Sequence, residues 1–165
     1  MTDRGPTQDR PIRVLFVCTG NSARSQMAEA ILRREAGGDF EVFSAGVSPR
    51  GVHPLTVRAL AEIGIDISGA QSKSTDQFIN ERFDFVVTVC DRARATCPFF
   101  PGAHQQLHWG FDDPAEATGT EAQQLAVFRR VMLEIAGRLK TFMPLARRAP
   151  QSTATAAAAG GSAED

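Results

Sequence analysis

The stretch IRVLFVCTGNSARSQMAEAILRREA, Ile12 to Ala36, decides the fold. Ile12 to Val17 is a short, β-branched, nearly continuous apolar run, which reads as a strand buried on both faces. Ser22 to Ala36 follows with good helix formers and with apolar Met27, Ala30 and Ile31 at helical spacing, and Gly37-Gly38 ends it. A buried strand leading directly into an amphipathic helix is the opening unit of a parallel sheet with crossover helices.

The pattern repeats outward from there. Phe40 to Ala45 reads as a second strand, closed by Gly46. Pro54 to Ile63 reads as a helix with proline at its start and Gly64 after it. Ser74 to Asn80 reads as a short helix, Phe83 to Val89 as a third strand, and Gln105 to Trp109 as a fourth. Thr120 to Phe142 is the longest amphipathic segment, with Leu125, Phe128, Val131, Met132, Ile135 and Leu139 on one stripe. The expectation is an α/β domain over residues 12–146 around a four-stranded parallel sheet with right-handed crossovers. Residues 1–11 read as a flexible segment. Residues 147–165, ending in the small and polar run APQSTATAAAAGGSAED, read as a disordered tail.

The chain has 165 residues and a net charge of -1, so no field favours nucleic acid or an anionic membrane. No apolar run approaches the roughly 20 residues that span a bilayer. Met1 to Pro11 is polar and charged, without the apolar stretch of a secretory signal, so the expected location is the cytoplasm. The three cysteines, Cys18, Cys90 and Cys97, are odd in number, which argues against a structural disulfide framework.

Cys18-Thr19-Gly20-Asn21-Ser22-Ala23-Arg24-Ser25 joins the first strand to the first helix. Ligands of parallel sheets gather at the carboxyl ends of strands, and a loop running into a helix aims unpaired N–H groups at one point, which suits an anion. Gly20 is expected to supply the sharp bend. Arg24 offers a planar fork of donors for a tetrahedral oxyanion. Cys18, at the mouth of this pocket, is expected as a thiolate, because helix N-termini and nearby cations favour the ionised sulfur. The bland reading, a buried cysteine followed by a turn and a capped helix, leaves Arg24 and its intervening polar residues unexplained.

Cys90 ends the third strand and Cys97 follows in DRARATCP. In one continuous helix their Cα atoms would lie about 10 Å apart, and in a strand more than about 20 Å. A disulfide needs them within about 7 Å. The segment therefore closes a bond only by folding back as a loop, and the dithiol and disulfide forms are expected to differ in shape. Two unrelated cysteines remain the alternative. His104 and His108 follow, but without the closely spaced cysteine pair that opens a structural zinc site. Asp113 precedes Pro114, which pushes it to an extended conformation in a loop able to reach the cradle. A surface turn is the alternative there, and Asp112 is a neighbour of undefined role.

Cys18-x5-Arg24-Ser25 directly after the first strand resembles the phosphate loop of the low-molecular-weight tyrosine phosphatases. The longer run CTGNSARSQMAEA resembles the arsenate reductases built on that fold. Ser44-Ala45-Gly46, Val52-His53-Pro54, Gly64-Ile65-Asp66-Ile67-Ser68 and His108-Trp109-Gly110-Phe111-Asp112-Asp113-Pro114 match as well, so the likeness covers roughly residues 12–143. It implies a three-layer sandwich with a central four-stranded parallel sheet. It implies that Thr19, Gly20, Asn21, Ser22, Ala23, Arg24 and Ser25 hold the oxyanion, that Asp113 is the general acid, and that no cofactor is needed. It also implies a relay. Cys18 attacks arsenate, Cys90 attacks Cys18 and releases arsenite, Cys97 attacks Cys90, and thioredoxin reduces the Cys90–Cys97 disulfide. Phosphate and sulfate would compete, a weak phosphatase activity would accompany the reduction, and the role would be arsenic detoxification by a monomer.

Some thioredoxin-linked relatives bind potassium beside this loop. Asn21, Glu29 and Ser44 match three ligand positions, but Lys73 stands where a further carboxylate is expected. The expectation at this departure from the family pattern is that the Lys73 ammonium stands where the ion would sit and pairs with Glu29, against the alternative of a solvated lysine. Tyrosine is absent, whereas eukaryotic-type phosphatases of this fold grip phosphotyrosine with aromatic residues; Trp109 and Phe111 are the candidates for such walls. Three readings stay open: the reductase, a phosphatase acting through a Cys18 phosphoenzyme, and an oxyanion-binding redox sensor. The reductant stays open too, between thioredoxin, glutaredoxin with glutathione, and mycothiol.

Overall fold

Ile12–Cys18 (β1), Phe40–Gly46 (β2), Phe83–Thr88 (β3) and Ala103–His108 (β4) form one parallel sheet in the order β2-β1-β3-β4. These come from a computed structural model that describes residues 10–150. The expectations of a flexible start and an Ala-rich tail fall mostly outside the described residues. β1 and β3 are central, and every residue of β3 is buried, as their apolar runs imply. β4 has only Leu107 as a large apolar residue and lies at an edge, where its polar side chains reach water. It starts earlier than expected because Ala103 pairs with Phe83.

Arg24–Ala36 (α1), Pro54–Glu62 (α2), Asp91–Thr96 (α3) and Glu121–Arg148 (α4) complete the fold. α1 begins later than expected because the residues before it are taken up by the loop. A capping box opens α4: Thr120 accepts from the Gln123 backbone and Gln123 from the Thr120 backbone. The helix does not stop at Phe142. It runs through Pro144 to Arg148, past the domain limit placed at 146. Proline in a helix interior costs one backbone hydrogen bond. Here Phe142 and Ala146 are buried on either side of it, and Arg147 pairs with Asp39 at 3.1 Å and lies over the Phe40 ring. The segment expected as a short helix from Ser74 is only a 3-10 turn, Thr75–Gln77, capped by Ser74. Two further turns of this kind, Gly37–Asp39 and Pro114–Glu116, were not expected from sequence.

Aromatic contacts bind the layers. Trp109 packs on Phe16 at 5.9 Å and on Phe142 at 5.2 Å between ring centroids, so α4 is tied to the sheet. No helix among the described residues is long and apolar enough to cross a membrane. Because β1 lies between β2 and β3, the connection after β1 runs to one side of the sheet and the connection after β2 crosses back to the other. The carboxyl ends of β1 and β3 therefore flank the crevice where ligands of such sheets bind.

Candidate active site

Cys18 is the last residue of β1 and sits in register with Gly46 at the end of β2. The loop after it is braced from one side. Val47, Ser48, Arg50 and His53 donate backbone N–H groups to the carbonyls of Cys18, Thr19, Gly20 and Ser22 at 2.8–3.1 Å. A loop whose carbonyls are engaged on one side is free to turn its own N–H groups to the other. Gly46 is required by this close approach: a β-carbon there would lie 2.7 Å from the Thr19 carbonyl oxygen.

The sharp bend is at Asn21 (φ 48°), not at Gly20 as expected. Asparagine tolerates the left-handed region when its side chain is held locally. Asn21 Nδ2 donates to Ser25 Oγ at 2.7 Å and to Ser44 Oγ at 3.0 Å, and its Oδ1 accepts from Gln26 Nε2 at 3.0 Å and Lys73 N at 2.9 Å. Cys18 is buried, not at the mouth of the pocket. Its Sγ accepts from the Asn21 N–H at 3.2 Å and lies 2.8 Å from Ser25 Oγ. Ser25 already accepts from Asn21, which leaves its own proton to point at the sulfur. Both contacts hold the sulfur in place at the floor of the loop.

Arg24 opens α1 and reaches across the crevice. It donates to the Phe111 carbonyl at 3.0 Å and pairs with Asp113 at 3.4 Å. Its Nε is buried without a hydrogen-bond partner among the described residues. A buried donor without a partner costs about 1–3 kcal/mol, and an oxyanion in the loop is the natural acceptor. Asp113 is extended, as the following proline requires, and its Oδ1 caps the next turn through Ala115 N at 3.0 Å. Asp112 is exposed and pairs with Arg130 at 3.5 Å. Phe111 lines the cavity, but Trp109 is buried in the core and forms no wall.

Val89 continues β3 by donating to the Val17 carbonyl, so Cys90 arrives beside the loop. Its Sγ lies 3.4 Å from Thr19 Oγ1, the residue after Cys18, and accepts from Ala93 N at 3.3 Å as the cap of α3. Cys97 caps the other end of α3 and is half-buried. The segment between them is thus a helix, not the loop that a bond between them demands. Seven steps of helical rise place their Cα atoms about 10 Å apart, and all three cysteines are free. Burial pushes the Cys97 thiol up to about 11.

Glu29 is buried on α1. It accepts from Ser44 Oγ, pairs with Arg33 at 2.5 Å, and faces the Lys73 ammonium at 3.7 Å. Among the described residues, no group of three or more His, Cys, Asp or Glu side chains is placed to hold a metal ion. Arg50 was not singled out in the sequence. It and Arg92 line the same cavity of about 680 Å³ as Thr19, Arg24, Cys90 and Asp113. Only the long-range pairing of residues 47–53 with the loop brings Arg50 there, and no local signal reports that pairing.

A parallel sheet in this order, with a Cys-x5-Arg loop at its switch point, defines the low-molecular-weight tyrosine phosphatase fold. The family model described as low molecular weight phosphotyrosine protein phosphatase matches residues 13–153, and the chain belongs to that family. Its similarity to arsenate reductases is extensive. It is 50% identical to an arsenate reductase of Halalkalibacterium halodurans over 129 residues, which is 78% of this chain and 93% of that protein. Among solved structures, an arsenate reductase in the phosphate binding state is 32% identical with a TM-score of 0.69, over 79% of this chain and 95% of the other. A thioredoxin-dependent arsenate reductase of Corynebacterium glutamicum is 33% identical with a TM-score of 0.65, over 84% of this chain and 63% of that one.

Proposed function

We propose that this chain reduces arsenate to arsenite with three cysteines and is regenerated by thioredoxin. Arsenate sits in the loop Thr19 to Ser25, where the backbone N–H groups and Arg24 hold its oxygens. Cys18 attacks arsenic, and one oxygen leaves as water with a proton from Asp113, a step worth roughly 10²–10⁴-fold. Cys90 then attacks the Cys18 sulfur. The electron pair of the sulfur–arsenic bond stays on arsenic, which leaves as arsenite, and a Cys18–Cys90 disulfide forms. Cys97 attacks Cys90 and frees Cys18 as a thiolate. Two thiols have lost two electrons and arsenic has gained two. Thioredoxin reduces the Cys90–Cys97 bond, chemistry that belongs in a reducing compartment such as the cytoplasm.

The observation that carries this reading is the 3.4 Å approach of Cys90 Sγ to Thr19 Oγ1, which brings a second sulfur to the rim of the first one's loop. Similarity to arsenate reductases supports the substrate, and the named dependence of the C. glutamicum relative supports the reductant. A weak hydrolysis of aryl phosphates follows, because that reaction needs only Cys18, Arg24 and Asp113. In Cys90→Ser, arsenate reduction is expected to disappear while aryl phosphate hydrolysis persists near the wild-type rate. Loss of neither activity would remove Cys90 from the chemistry, and a wild type that only hydrolyses would make the chain a phosphatase.

A further inference from the structure

The charges around the cavity do not balance evenly. Two of its acidic residues are in ion pairs, Asp112 with Arg130 at 3.5 Å and Asp113 with Arg24 at 3.4 Å, and Asp91 is hydrogen-bonded to His108 at 2.8 Å. Among the described residues, the exposed Glu116 carboxylate has no such partner. Arg24 is thus partly offset by Asp113 before any ligand arrives. A tetrahedral dianion entering there meets a cradle with little net positive charge. Two cations on the cavity wall, Arg50 and Arg92, have no ion pair among the described residues.

Of these, Arg50 is seated on the cradle itself. Its backbone N–H donates to the Gly20 carbonyl at 3.0 Å, so the segment that braces the loop also fixes this residue. Its guanidinium lies against Gly20, where an added β-carbon would come within 2.9 Å of Arg50 Nε and 3.4 Å of Nη2. The absence of a side chain at position 20 is what lets the guanidinium close down on the loop. Arg92, in contrast, rides on α3, the segment that must open for Cys90 to meet Cys97.

We propose that Arg50 is a second anion-binding residue of this site, which recruits and holds the divalent tetrahedral oxyanion. It rests on the oxyanion chemistry proposed for Cys18. Arg24 binds the ion within the loop, and Arg50 supplies from the rim the positive charge that Asp113 takes from Arg24. A charged donor of this kind, partly exposed, is worth about tenfold in affinity. The effect is electrostatic, so it weakens as salt screens it.

Inorganic phosphate tests this in the full-length reduced protein. Its affinity is read from the protection it gives Cys18 against iodoacetamide, with the Cys18 peptide followed by mass spectrometry. Arg50→Met is expected to weaken phosphate about tenfold and to flatten the dependence of affinity on ionic strength. Arg50→Lys is expected to recover part of the affinity and most of the salt dependence, which a purely structural role for the side chain would not do. Arg94→Met, an exposed arginine of α3 outside the cavity, is expected to match the wild type. Phosphate affinity within twofold of wild type in Arg50→Met, with unchanged salt dependence, would overturn the assignment. A wild type whose Cys18 phosphate never protects would overturn the oxyanion site as a whole, and the two failures are distinct.

Discussion

At the scale of single residues, Cys97 carries the clearest consequence. With its thiol pushed up to about 11 by burial, it is a poor nucleophile at neutral pH while α3 is formed. Labelling of Cys97 by iodoacetamide in the reduced protein is therefore expected to rise about tenfold per pH unit and to level only near 11. Levelling near the ordinary thiol value of about 8.5 would show that nothing holds the proton on. The same shift bears on stability. The unfolded chain loses this proton first, so stability is intact below the ordinary thiol value and falls as pH rises from there to the folded value. The places of Cys18, Arg24 and Asp113 follow from immediate neighbours: a strand end, a short glycine-containing loop, a following proline. Asn21 was not recognised as the bend, because its left-handed backbone depends on Ser44, Gln26 and Lys73, which come from other parts of the chain. The burial of Trp109, a candidate wall by sequence, escapes a local reading for the same reason. Nothing local reveals that Phe16 and Phe142 draw it inward.

At the scale of elements, one buried network ties the loop, α1, β2 and the segment before Thr75 together. Asn21 bonds Ser44, Ser44 bonds Glu29, and Glu29 is offset by Arg33 and Lys73. A carboxylate with two cations beside it has no need of a third. We propose that Lys73 stands in place of a bound potassium ion, so replacing sodium with potassium is expected to leave the melting temperature and the activity unchanged. A clear rise in either would mean that the ammonium gives way to the ion. Elements with a long apolar signature, β1, β3 and α4, were legible from their pattern alone. α3 was not: DRARAT has no apolar stripe, and it forms a helix because Cys90 caps it and Ala93 is buried beneath it. The end of α4 was missed for the opposite reason, since Pro144 suggests a stop that the burial of Ala146 and the Arg147–Asp39 pair override.

At the scale of the whole molecule, the sheet order decides what the cysteines can do. β1 and β3 are neighbours, so Cys18 and Cys90, far apart in sequence, emerge at the same crevice. The alternation of strands and helices made a parallel sheet legible, but the adjacency of β1 and β3 is a tertiary fact. Cys97 is set apart by α3, and a bond from it to Cys90 requires that helix to unwind. The loop after Cys18, braced along residues 47–53, is thus joined to one short helix, α3, whose unwinding the proposed relay requires. The most direct measurement is a single turnover of the fully reduced protein with arsenate and no added reductant. One equivalent of arsenite per chain is expected, with mass spectrometry finding Cys90 joined to Cys97 and Cys18 free. No arsenite, or arsenite with Cys97 still a thiol, would contradict the three-sulfur relay.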